Sequence, residues 1–152
     1  MVLWVNDSVV ESKLVELGAK YVVKKGIGVD EIDIEGSLKN NARIFEPINE
    51  GLVLEYAEAM DKGAKFPMPI MWKPQGSKRF SIISGNHRVS AANLNSGSVD
   101  SYVYTGGDVL VAEVIARTSN RWLGSRQSRE EAVLHALAFI NRYNMSVKDA
   151  AA

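Results

Sequence analysis

The run from Pro69 to Leu94 constrains this chain more than any other stretch, because it spells strand, turn, strand, glycine and helix with almost no spacer. Pro69-Ile70-Met71-Trp72 reads as a strand, Pro74-Gln75-Gly76-Ser77 as a turn, and Arg79-Phe80-Ser81-Ile82-Ile83 as the returning strand. Ser84-Gly85-Asn86-His87-Arg88 follows at once, and a small-residue helix continues through Ala91, Ala92 and Leu94. The pattern over this run is strand, turn, strand, helix.

The flanking segments add both kinds of element. Ser8 and Glu11 have capping-box spacing, Val10, Leu14 and Leu17 share a helical face, and Gly18 is a natural stop. Tyr21-Val22-Val23 reads as a short strand. The strict alternation of Asp30-Glu31-Ile32-Asp33-Ile34-Glu35-Gly36 predicts a half-buried strand with a solvated acidic face. Ile48 to Lys62 reads as a helix with Leu52, Tyr56, Ala59 and Met60 inward and Gly63 as its stop. Val99 to Tyr104 is expected as a strand, and Asp108 to Arg117 as a helix. Ser128 and Glu131 repeat the capping-box spacing before a long helix that Asn144 ends. Ser146 and Asp149 open one more capped helix, so the chain is expected to be a piece of a longer protein.

Composition excludes several classes of function. With 152 residues the chain suits one domain, and without cysteine it has no disulfide, thiol chemistry or Cys-ligated zinc. No apolar run approaches the roughly 20 residues that span a bilayer, and no signal peptide is visible, so a cytoplasmic location is expected. Net charge is zero overall but uneven. Residues 1–62 carry seven Lys+Arg against twelve Asp+Glu, a net of −5, and residues 63–152 carry eleven against six, a net of +5.

The turn Ser84-Gly85-Asn86-His87-Arg88 carries the most chemistry. Helix N-termini expose unpaired N–H groups and partial positive charge, which makes them anion sites. Gly85 permits close approach of an anion, Arg88 offers a bidentate donor, and His87 can exchange a proton. The alternative is a plain strand–helix turn in which carboxylates satisfy His87 and Arg88. A second candidate is Arg117-Thr118-Ser119-Asn120-Arg121-Trp122-Leu123-Gly124-Ser125-Arg126, a donor-rich stretch between two helices, placed to close over the same anion or else a bare exposed loop. His135 reads as a surface or packing residue. Trp4, Trp72 and Trp122 read as anchors, Met68 and Met71 as packing, and Gly106-Gly107 as a turn.

From Asn41 to Arg88 the chain resembles the ParB-like N-terminal domain of the ParB/sulfiredoxin superfamily. The resemblance rests on Asn41-Ala42-Arg43, on Tyr56 through Pro67, on Ile70-Met71-Trp72, and above all on Gly85-Asn86-His87-Arg88-Val89-Ser90-Ala91-Ala92. Asn120 through Arg126 before Glu130-Glu131-Ala132 looks like the family's third box. The resemblance implies an α+β fold, a small mixed sheet with packed helices followed by a helical C-terminal segment. It divides the chain into an N-terminal helical extension (1–29), the ParB/sulfiredoxin-like domain (30–127), and a helical segment (128–152) leading into a helix-turn-helix.

It also implies a nucleotide-binding switch domain, of phage or plasmid and bacterial type, in partition or transcriptional regulation. The nucleotide would be CTP or another nucleoside triphosphate, with Mg2+, hydrolysed in some members. Its phosphates would meet Ser84, Gly85, Asn86, His87, Arg88, Asn120, Arg121, Arg126 and Arg43, with Asn120 as a metal ligand. The implied partners are DNA, through a region beyond residue 152, and a second copy in a homodimer, with no membrane. The alternative on the same fold is a ParB-like nuclease or a nucleotide-dependent phosphotransferase, with His87 as the catalytic base. Sulfiredoxin has its catalytic cysteine where this chain has Asn86, so sulfinic-acid reduction is not expected.

Overall fold

The computed structural model describes residues 2–35, 49–95 and 97–119. They form α+β architecture: β1 (Leu3–Val5), α1 (Ser8–Glu16), β2 (Tyr21–Ile27), α2 (Glu50–Asp61), β3 (Lys65–Pro67), β4 (Ile70–Trp72), β5 (Ser81–Ser84), α3 (Asn86–Leu94), β6 (Val99–Tyr104) and a helix over 109–119, here α4. Four strands make a mixed sheet in the order β2-β6-β4-β5, with only the β4–β6 pair parallel. β1 and β3 pair in parallel as a second, two-stranded sheet.

Strand alternation divides the interior. Met71, Ile82, Val99 and Val103 face a core shared with Val53, Tyr56 and Met60 of α2 and Val89, Ala91 and Ala92 of α3. Ile70, Ile83, Tyr102 and Tyr104 face a second core with Val10 and Leu14 of α1 and Ala112, Ile115 and Ala116 of α4. Successive strand residues point to opposite faces, so one sheet serves both cores. Met68 and Met71 are buried packing residues, and Trp4 and Trp72 pack half-buried at the cores.

The cap of α1 differs from the expected Ser8–Glu11 box. Asp7 is the N-cap and accepts from the Val9 and Val10 N–H groups. Glu11 instead accepts the hydroxyl proton of the fully buried Tyr102, which in turn accepts from the Asp7 N–H at 2.7 Å. Burial and the Glu11 carboxylate hold the Tyr102 hydroxyl well above its ordinary value of 10.0.

The expected strand at Asp30–Gly36 is corrected. Val29–Glu31 is a short 3-10 turn, because the Glu31 carboxylate turns back to accept the Gly28 N–H at 2.8 Å. Among this segment's described residues only Ile32 makes a bridge, an isolated parallel one to Phe80 just before β5. The acidic face is solvent-exposed at Asp30, Glu31 and Glu35 as expected. Residues 1–29, expected as a helical extension, contribute β1 and β2 to the sheets. Both partners, β3 and β6, lie more than 50 positions away, beyond the reach of local pattern. α4 runs to residue 119, so Thr118 and Ser119 belong to a helix and not to the expected loop. Their hydroxyls donate to the Val114 and Ala116 carbonyls one turn back. Among the described residues no helix is long and apolar enough to cross a membrane.

Candidate functional site

β5 ends at Ser84 and α3 begins at Asn86, so the whole reversal falls on Gly85. Gly85 has φ +104°, a backbone open to glycine and hostile to L side chains. A Cβ there would stand 2.7 Å from the Pro69 Cβ and 3.0 Å from Arg88 Nη2. Gly85 offers no side-chain cap to the positive end of α3.

Arg88 lies directly under this turn and is only 5% exposed. Its Nη1 donates to the Pro67 carbonyl, with the Met68 carbonyl at 3.4 Å, so it ties the end of β3 to the base of α3. Among the described residues no carboxylate pairs with it: the two ion pairs are Lys13–Glu16 and Lys62–Glu58. A guanidinium that is buried, bonded to neutral carbonyls and lacking a counter-charge is costly, and an anion at the α3 N-terminus would supply what is missing.

His87 faces the neighbouring helix. Its Nε2 accepts the backbone N–H of Asn49 at 3.0 Å, and Asn49 is itself the N-cap of α2. An accepting Nε2 places the ring proton on Nδ1, so His87 is neutral in this bond and joins the starts of α2 and α3. General-base work through Nε2 would require breaking it. One residue earlier, Asn86 Oδ1 is buried without a hydrogen-bond partner, and one turn on, Ser90 Oγ is too. Such orphaned atoms are uncommon in folded proteins and mark a face where polar partners are lacking.

Ser84, Gly85, Asn86, His87 and Arg88 are therefore brought together at one helix start. Arg43, Asn120, Arg121, Arg126, Trp122, His135 and the helices expected after Ser128 and Ser146 lie outside the described residues. Among the described residues no three His, Asp or Glu side chains gather as a metal-ligand set. Sequence reasoning missed the Pro67 and Met68 carbonyls and Asn49, because backbone partners leave no residue signature.

No family model matches the chain, and no curated protein matches it.

Proposed function

We propose that the chain is a nucleotide-binding switch domain with a ParB/sulfiredoxin-like fold, taking the phosphates of a nucleoside triphosphate at the Gly85–Arg88 turn. One observation carries the reading: a nearly buried Arg88, without a carboxylate partner among the described residues, sits beneath a helix N-terminus that its glycine N-cap leaves without a side-chain cap. Both features favour an anion, and together they set one within reach of backbone donors and a fixed cation. CTP is the nucleotide favoured by the resemblance of Gly85-Asn86-His87-Arg88 to the family's box. Mg2+ would be carried on the phosphates and water, since the described residues near the turn offer neutral oxygens and no carboxylate set. In this reading the protein is cytoplasmic, acts as a homodimer and belongs to a DNA-associated regulatory or partition system. The nuclease or phosphotransferase alternative draws less support, because His87 Nε2 already accepts from Asn49.

Calorimetric titration with CTP, ATP, GTP and tripolyphosphate, with and without Mg2+, tests the proposal. Binding of a triphosphate, together with slowed hydrogen exchange over Ser84–Val89, is the expected result. No binding of any of the four at millimolar concentration would sink it.

A further inference from the structure

A second basic feature lies apart from the Gly85 turn. Residues 62–99 contain six Lys and Arg and no Asp or Glu, and three of the six, Lys73, Lys78 and Arg79, sit on the loop joining β4 to β5. The exposed side chains of that loop are Lys73, Gln75, Ser77, Lys78 and Arg79, every one a hydrogen-bond donor. None of its cations has an ion-pair partner among the described residues.

The fold adds a fourth cation from elsewhere in the chain. The Ile32–Phe80 bridge brings the segment leaving β2 round to the start of β5. Lys24 of β2 consequently places its Nζ 4.9 Å from the centroid of the Phe80 ring, and Lys73 places its own 4.6 Å from the same centroid. The two ammonium groups are thus less than about 10 Å apart, within a Debye length at 0.1 M salt. Glu31 and Asp33 meet Phe80 through backbone hydrogen bonds. Like charges converge here on one ring, whose negative face attracts both.

We infer that the β4–β5 hairpin tip, with Lys24, is a surface for the phosphate backbone of duplex nucleic acid, separate from the Gly85 turn and independent of the nucleotide reading. The chemistry favours nucleic acid over a lipid surface, because the tip exposes no apolar side chain to enter a bilayer. It favours a polyanion over a single nucleotide, because the cations stand exposed on two separate elements. Such contacts position and do not specify, so binding should be sequence-independent.

The test is fluorescence anisotropy of the 152-residue chain with a short duplex across a salt series. Wild type should bind in the non-specific range, about 10⁻⁴ to 10⁻⁶ M, and weaken steeply with salt. Lys73→Gln with Arg79→Gln should lower the slope of log K against log salt by about 2, and Lys24→Gln alone by about 1. Lys13→Gln, which removes a paired cation elsewhere, should leave the slope unchanged. Thermal melts confirm folding, and the Lys24 variant tests the surface from a different element. Equal slopes in all four proteins, or no DNA binding by the wild type at 50 mM salt, would overturn the inference. So would a hairpin variant that loses wild-type binding to phosphatidylserine vesicles yet keeps the wild-type salt slope for DNA. Hairpin variants should keep triphosphate affinity, which separates this surface from the Gly85 site.

Discussion

Arg88 and Arg79 stand nine residues apart in the same acid-free stretch, yet the fold uses them in opposite ways. Arg88 is buried under the Gly85 turn and tied to two backbone carbonyls. Arg79 is exposed on the hairpin tip and has no carboxylate partner among the described residues. The same side chain is therefore anchored inside the fold in one place, where the proposed anion would meet it, and stands on the surface in the other. Local charge does not separate the two cases; burial does.

Substitution should show that contrast as a graded series. The largest effect belongs to Arg88→Ala, which should cost about 3 kcal/mol in urea unfolding, since charged hydrogen bonds vanish and two carbonyls stay buried. A cost no larger than that of a surface substitution would erase the distinction. Gly85→Ala should follow at about 2 kcal/mol, the order of strain for an L side chain at positive φ.

Tyr102→Phe probes a buried polar network away from both regions and should cost about 1.5 kcal/mol at neutral pH. Its pH signature has a definite sign. The folded hydroxyl is held above 10.0, so the unfolded chain loses that proton first as pH rises. Above pH 10 the unfolded state binds fewer protons than the folded one, and wild-type stability falls; below it the contribution is fully present. Alkaline denaturation should be shallower in the phenylalanine variant. The smallest effects belong to Lys73→Gln and Arg79→Gln, each changing stability by less than about 0.5 kcal/mol. A large loss from either would mean that the hairpin cations hold the fold as Arg88 does.

Much of the fold was legible where a local pattern carries its own cause. β6 matches its expected bounds because Val99, Val103, Tyr102 and Tyr104 alternate between two cores. α3 starts at Asn86 because Gly85 alone tolerates the backbone there. The Asp30–Gly36 alternation misled because period two requires a neighbouring strand, and among its described residues Ile32 makes just one isolated bridge. β1 and β3 were invisible because each has its partner more than 50 positions away and no flanking turn marks it as the next strand of a hairpin, as Pro74–Ser77 marks β5.

The site divides along the same line. Sequence by itself determined that Ser84 through Arg88 would form a glycine-hinged helix start, because capping and φ preference act over a few residues. It also determined the charge asymmetry and excluded cysteine chemistry. Tertiary structure alone decided that Arg88 turns inward to the Pro67 and Met68 carbonyls and that His87 accepts from Asn49. It alone placed Lys24 beside Lys73 on the Phe80 ring. Those contacts join residues 20 to 56 positions apart, and an acceptor carbonyl or a shared ring face has no signature in the letters that flank it.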